Sequence, residues 1–253
     1  SERYPDVSLD LNFFEHMENY IHTPRFVENV NAQREALRVV CGHVPYASRS
    51  LLRGNYQALT VLREPVDRTI SHLKHCRKYH LEYQQDTLES LYENAWFHAS
   101  FLSNYQTKLF SMTAQESLNE ERIEDEEFSL PPRAALGDGS GLAKELIDFR
   151  ERAPGRFCME LFAPSTGAIT VDEKRLKTAM ENLDQVDVVG TTNNYAGFLQ
   201  QLDERYGWKI GNVPKMHMGA EESVSNEFKL RIAKDNDYDM ALYEHALRRG
   251  NQG

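Results

Sequence analysis

The sequence predicts an α/β fold with a mostly parallel sheet flanked by helices, and three observations indicate it. Residues 58–62 form an apolar run that is typical of a buried strand in a parallel sheet. Pro65 follows at once and suits the first turn of a helix, and apolar residues recur at helical spacing over about 65–80. A second buried strand at 186–189 leads into a helix at 195–206, which Gly207 ends.

The remaining elements fit one domain over residues 1–253. The chain has 253 residues, 40% of them hydrophobic, which is enough for one sizeable core. Residues 9–35 are expected to be mostly helical, and 37–41 to form another strand. A long helix is expected over 87–112, within a helical insert region at 87–145.

The second half of the chain begins with less regular sequence. Residues 116–127 are strongly acidic, which is typical of a solvated face or an insertion. A turn-rich connection follows at 131–141, and 157–162 fits either a strand or a helix end. Further helices are expected at 173–183, near 221–234 and near 237–249.

Composition limits the classes of partner. The formal net charge is −10, which argues against nonspecific nucleic-acid binding and makes a highly sulfated polyanion a less natural partner. No run of eighteen apolar residues and no signal-peptide core occurs, so no membrane segment is expected.

Two residues at the predicted strand–helix junction are candidates for binding phosphate. Arg63 lies at the carboxyl end of strand 58–62, the edge where open α/β sheets bind ligands. Ser71 lies two turns into the next helix, and a guanidinium with a hydroxyl donor can hold a phosphate. The alternative is a surface arginine and a helix serine in an ordinary βα unit. Arg68, between them, is expected to face outward or to pair with an acidic neighbour.

Residues 62–72 resemble the 3′-phosphate-binding segment of sulfotransferases that use 3′-phosphoadenosine 5′-phosphosulfate (PAPS). In that family a strand ends in Arg, an X-Pro step follows, and a Ser lies eight residues after the Arg. The resemblance implies a P-loop-like three-layer sandwich, with PAPS as sulfuryl donor and with Arg63 and Ser71 on its 3′-phosphate. It covers most of 36–110 and 184–247.

The histidine of Gly42-His43 is the candidate catalytic base. Residues 39–46 resemble the Gly-His-Val segment of the heparan-sulfate and uronyl 2-O-sulfotransferase branch, whose histidine is the proposed base. An imidazole titrates near neutrality and can take the proton of an acceptor hydroxyl. The alternative for His43 is a core or turn histidine hydrogen-bonded to the backbone.

The resemblance extends to two further elements. Asn104, Gln106 and Lys108 resemble a polar element of this branch that is assigned to substrate binding, with a polar helix face as the alternative. Lys215 lies in a Pro-containing loop that resembles the loop closing over the nucleotide, with an ordinary surface loop as the alternative.

One part of the family pattern has no counterpart in the sequence. The loop Pro-Lys-[Ser/Thr]-Gly-Thr-[Ser/Thr], which holds the 5′-phosphosulfate, is expected upstream of residue 1. The predicted function is therefore transfer of a sulfuryl group from PAPS to a hydroxyl on a carbohydrate or small metabolite. The alternatives are a noncatalytic nucleotide-binding module of the same fold, or a P-loop phosphotransferase. The phosphotransferase would need a magnesium-binding Ser or Thr beside a P-loop lysine, which the sequence lacks.

Cysteine and histidine spacing bears on metals and compartment. Cys41, Cys76 and Cys158 form no Cys-x-x-Cys pattern, and His72 and His75 lack a third ligand, so no metal is expected. An odd cysteine count suits a reducing compartment, and no N-glycosylation acceptor occurs. A cytoplasmic, bacterial enzyme is expected, with the Golgi lumen as the alternative if an N-terminal segment has been removed.

Overall fold

Helices and two short strands make up the regular structure of this protein. In a computed structural model, the chain is described at residues 23–35, 37, 39–79, 83–118, 165–210 and 223–250. The main elements, in chain order, are α1 (Thr23–Gln33), β1 (Leu59–Leu62), α2 (Pro65–Tyr79), α3 (Leu88–Glu93), α4 (Tyr105–Ser111), α5 (Ala114–Leu118), α6 (Glu173–Asp184), β2 (Val188–Thr191), α7 (Tyr195–Tyr206), α8 (Asn226–Asp235) and α9 (Asp237–Gly250). Shorter helical turns lie at Tyr46–Leu51, Ala95–Phe97, His98–Leu102, Ser165–Ala168 and Thr192–Asn194.

The two strands form a parallel sheet within the described residues. The register pairs Leu59 with Val188 at one end and Leu62 with Thr191 at the other. All four residues of β2 are buried, as expected for a parallel strand covered by helices. Both strands are therefore confirmed, with β2 starting two residues later than its sequence pattern indicates. The three-layer sandwich stays a prediction.

The strand predicted at 37–41 does not form. Residues 37 and 39–41 have no regular secondary structure. Val39 is 50% exposed and Cys41 is exposed, whereas the strands of a parallel sheet are buried on both faces. The apolar residues of this segment lack the covering that would make it a strand.

Helix α2 begins where its sequence predicts, and an acidic side chain caps it. Pro65 is its first residue, and the Arg68 N–H donates to the Glu64 carbonyl at 2.8 Å. A carboxylate oxygen of Glu64 accepts from the N–H of Asp67 at 2.7 Å. The positive N-terminal end of α2 is therefore already matched by carboxylates.

The helical stretch predicted over 87–112 is confirmed for most of its length, but asparagines divide it into several short helices. The Asn94 side chain accepts from the N–H of Phe97 at 3.0 Å and starts a new turn. Asn104 lies in the left-handed region with φ 47° and precedes α4. Asparagine favours both conformations because its short amide bonds to nearby backbone groups. The result is a set of short helices in place of one long one.

Strand β2 packs closely against α7. A Cβ atom on Gly190 would lie 2.5 Å from the Phe198 ring, which is too close for any other residue without a shift. Helix α7 then ends at Gly207 with φ 65°, as the sequence predicts. This contact fixes how α7 covers the sheet.

Two apolar clusters flank the strand–helix junction. One joins α2, α3 and α8 through Leu73, Leu91 and Ile232. The other joins the sheet to α6 and α9 through Leu62 and Leu242. Arg63 directly follows Leu62 of the second cluster and precedes α2, which belongs to the first. The candidate site therefore begins between the two clusters.

The Gly190–Phe198 contact gives a test of the sheet–helix packing. Gly190→Ala should lower the free energy of unfolding by about 1–3 kcal/mol, because the added methyl overpacks a buried contact. Urea unfolding followed by circular dichroism measures the change. Thr192→Ala, at an exposed position two residues later, should change the free energy by less than about 0.5 kcal/mol. Equal effects from the two variants would contradict the packing.

Candidate functional site

The Arg63 guanidinium and the Ser71 hydroxyl form no hydrogen bond or ion pair with any described residue. Arg63 is the first residue after β1, at the carboxyl end of the strand, and is partly buried. Its backbone is hydrogen-bonded, and its guanidinium forms no hydrogen bond or ion pair within the described part of the chain. Ser71 is partly buried on α2, and its hydroxyl likewise has no partner among the described residues. Both groups are available to a ligand.

The backbone of Arg63 is held by the side chain of Gln106. The amide oxygen of Gln106 accepts from the Arg63 N–H at 3.0 Å, and its amide nitrogen donates to the Arg63 carbonyl at 2.9 Å. This pairing resembles one step of a β-ladder, in which a side-chain amide replaces a neighbouring strand. It fixes the direction in which the chain leaves β1.

Arg68 does not face outward, contrary to the sequence expectation. Its Nη2 donates to the Phe101 carbonyl at 2.7 Å, and its guanidinium carbon lies 4.2 Å from the centre of the Tyr105 ring. Its Nη1 is shielded from solvent and makes no hydrogen bond with any described residue. Burial lowers the pKa of Arg68, although the charge of Asp239 acts in the opposite direction. The sequence signal for this position is the second arginine of Arg-x-Pro-x-x-Arg, three residues before Ser71 on the same side of α2.

A second buried cation lies near Arg68. Lys108 is 4% exposed, and its Nζ donates to the Ala99 carbonyl at 2.6 Å. Burial lowers the pKa of Lys108 to about 8, the charge of Asp239 opposes this, and the charge of Arg68 adds to it. The two cations therefore lie close enough to repel one another.

Asp239 is the carboxylate of this buried group, and it is 1% exposed. Its oxygens accept from the backbone N–H groups of Gln106, at 3.1 Å, and Thr107, at 2.7 Å. Burial raises the pKa of Asp239, whereas these hydrogen bonds and the charge of Arg68 act to lower it. Within the described part of the chain, two cations, the partly buried Arg68 and the buried Lys108, thus lie near the carboxylate of Asp239.

The three residues assigned to substrate binding form side-chain hydrogen bonds within the protein. The Asn104 amide donates to the Asp235 carbonyl at 3.2 Å, and its oxygen accepts from the Asp239 N–H at 3.1 Å. The polar groups of Gln106 and Lys108 are engaged with Arg63 and Ala99 as described above. All three side chains position the walls of the site, and their contact with an acceptor stays a prediction.

His43 lies in a bend rather than at the end of a strand. The residue is exposed, yet the protein around its ring lowers its pKa from 6.5 by desolvation, and the charge of Arg68 lowers it further. The effect of the Arg68 charge on the pKa of His43 indicates that the two residues are near each other.

Other sequence candidates do not join this group. Lys215 lies outside the described residues, as does the segment 157–162. The His72 ring stacks on Phe97 with centroids 5.4 Å apart, which makes it part of an aromatic cluster. Among the described residues, no group of three or more His, Cys, Asp or Glu side chains could hold a metal ion.

Two further findings concern the chain as a whole. In the described part of the chain, no helix combines the length and apolarity needed to cross a lipid bilayer. Comparison of the chain with protein-family models, with curated proteins and with solved structures gives no match. The functional argument therefore depends on the residues of the site and on their motifs.

The Gln106 pairing gives a test of how the site is held. Gln106→Leu should lower the free energy of unfolding by about 1–3 kcal/mol, because it leaves a partly buried N–H and carbonyl of Arg63 unpaired. Chemical denaturation measures this loss. Gln200→Leu is the matched control, since the exposed Gln200 amide bonds only to Glu204, at 2.8 Å, and its loss should cost less than about 0.5 kcal/mol. A Gln106 variant as stable as wild type would show that the pairing does not hold Arg63.

Proposed function

We propose that this protein is a PAPS-dependent sulfotransferase that modifies a hydroxyl on a carbohydrate or small metabolite. The observation that supports this most is the position of Arg63 directly after a parallel strand, at its carboxyl end, with Ser71 on the helix α2 that follows. That edge is where α/β proteins bind nucleotides. In the Arg-x-Pro motif of the family, these two positions hold the 3′-phosphate of the donor.

Local charge supports phosphate binding at this point. The chain has a net charge of −10, yet Arg63, Arg68 and Lys108 come together near one buried carboxylate. Glu64 and Asp67 already occupy the start of α2, so the helix end itself does not attract an anion. Recognition of phosphate would therefore come from side chains, above all from Arg63.

The reaction would be an in-line displacement at sulfur. The acceptor oxygen forms a bond to sulfur while the bond between sulfur and the bridging oxygen of PAPS breaks, and 3′-phosphoadenosine 5′-phosphate (PAP) leaves. Positioning and electrostatics dominate transfers of this kind. Arg63 and Ser71 would hold the donor in place by its 3′-phosphate, and Lys215 is proposed to close over it.

His43 is the proposed general base. It would accept the proton that the acceptor hydroxyl loses as the oxygen–sulfur bond forms. The environment of His43 lowers its pKa below 6.5, so the imidazole is neutral at physiological pH and able to accept a proton. Asn104, Gln106 and Lys108 are proposed for the acceptor side of the site.

Nucleotide binding is the first test of this function. PAP at tens of times its dissociation constant should stabilise the protein by about 2 kcal/mol, measured as a rise in melting temperature. Arg63→Ala should abolish the rise, because the guanidinium that pairs with the 3′-phosphate is lost.

The control for Arg63 is Arg34→Ala, which removes an exposed arginine that pairs with its neighbour Glu35. This variant should keep the full response to PAP. Adenosine 5′-monophosphate, which lacks the 3′-phosphate, should stabilise the wild-type protein much less. A full PAP response in Arg63→Ala would refute the phosphate assignment, and stabilisation without turnover of PAPS would identify a noncatalytic nucleotide-binding module.

The base assignment predicts both a rate and a pH profile. His43→Ala should lower turnover about 10²–10⁴-fold while PAP binding stays intact, because a general base acts on the chemical step. In the wild type, kcat/KM should hold through neutral pH and fall only below pH 6.5, since the lowered pKa keeps the imidazole neutral down to that range.

His245→Ala is the control, because His245 pairs with Asp184 at 2.8 Å between α9 and α6, and its loss should leave turnover unchanged. Steady-state rates across pH 5 to 9 separate the two variants. Persistence of the acidic limb in His43→Ala would assign the base to another group.

A further inference from the structure

Arg68 carries a donor that the described protein leaves unused. One face of its guanidinium covers Tyr105, and its Nη2 bonds to the Phe101 carbonyl. Its Nη1 is buried and has no hydrogen-bond partner among the described residues. Buried polar groups are nearly always satisfied by protein, water or an ion, so an unused donor on a charged group indicates a missing partner.

The charges around Arg68 indicate that this partner is an anion. The carboxylate oxygens of Asp239 accept hydrogen bonds from the N–H groups of Gln106 and Thr107, and Asp239 makes no ion pair with Arg68. Lys108 bonds to a carbonyl and adds a second positive charge. Buried cations in excess of carboxylates favour a bound oxyanion.

The position of Arg68 relates it to the phosphate candidates. It precedes Ser71 by three residues on α2, which places the two side chains next to each other on the helix surface. The charge of Arg63 also acts on Arg68, so the two guanidinium groups are near neighbours. A phosphate held by Arg63 and Ser71 would therefore lie beside Arg68.

We propose that Arg68 is a third phosphate-binding residue, whose Nη1 donates to an oxygen of the phosphate that Arg63 and Ser71 hold. This inference rests on the proposed function, because it takes the 3′-phosphate of the nucleotide as the ligand. Since Nη1 is shielded from solvent, binding includes a local movement that brings the phosphate and Nη1 together. Arg68 then contributes a directed hydrogen bond, which a lysine at the same position cannot reproduce in this geometry.

The test is Arg68→Lys, which keeps the charge and removes the planar donor group. Isothermal titration should show PAP binding at least about tenfold weaker than in wild type, with the affinity for adenosine 5′-monophosphate unchanged. Arg231→Lys is the matched control, because Arg231 also lies over a tyrosine, 5.3 Å from the Tyr92 ring centre, and pairs with Glu93. It should bind PAP as wild type does.

The outcomes separate this inference from the proposed function. Equal PAP affinity in wild type and Arg68→Lys overturns the role of Arg68 and leaves the sulfotransferase proposal in place. No binding of PAP to the wild-type protein overturns both. Weaker binding of PAP to Arg68→Lys alone, with the control unaffected, supports the inference.

A second measurement covers an Arg68→Lys variant that does not fold. In a crystal structure of the wild-type protein with PAP, Nη1 of Arg68 should lie within about 3.2 Å of a phosphate oxygen. Any other partner for that nitrogen in the complex, whether water or protein, overturns the assignment.

Discussion

The candidate site depends on a reciprocal capping arrangement between the N-terminal ends of α4 and α9. The Asp239 carboxylate accepts from the N–H groups of Gln106 and Thr107, while the Asn104 side chain accepts from the Asp239 N–H. Asn236 completes it by accepting from the Asn104 N–H at 2.8 Å. Each helix thus satisfies free N–H groups of the other, which would be costly to leave unpaired in a buried place. Because more than 130 residues of sequence separate the two ends, this contact also fixes the C-terminal helix relative to the first half of the chain.

The arrangement determines where the charges of the site lie. With α4 fixed, Gln106 reaches back to the Arg63 backbone and Lys108 projects to the Ala99 carbonyl. Tyr105 supplies the ring on which Arg68 rests. Keeping Arg68 and Lys108 buried beside a single carboxylate costs stability, which the lowered pKa values of both cations reflect. Under the proposed function, a bound phosphate would offset part of this cost, because it brings negative charge to both cations.

The sequence predicts the features that depend on neighbouring residues and misses those that depend on contacts between distant parts of the chain. Strand β1, helix α2 and the bounds of α7 follow from nearby signals, such as Pro65 and Gly207. The break at Asn104 involves a hydrogen bond to Asn236, 132 residues away in the sequence. The local pattern of apolar residues contains no sign of this contact and therefore predicts a continuous helix. The same applies to the site: Arg63 and Ser71 are recognisable from a motif, whereas the inward position of Arg68 depends on its contacts with the Tyr105 ring and the Phe101 carbonyl, more than 30 residues away. The strand predicted at 37–41 failed for the opposite reason, because its apolar residues lack a covering layer.

The distribution of charge bears on which acceptor this site suits. Arg68 and Lys108 are buried, so surrounding protein and solvent limit their attraction to groups that come within a few ångströms. The chain as a whole has a net charge of −10, which repels a long polyanion before any of its groups reaches the site. A nucleotide can bring one phosphate into the cationic group, because the attraction at contact exceeds the repulsion at a distance. A densely sulfated glycan must approach over a wide surface and gains less from so small a group of cations. For the proposed function, this charge pattern favours an uncharged hydroxyl acceptor, such as a neutral sugar or small metabolite, over a densely sulfated glycan.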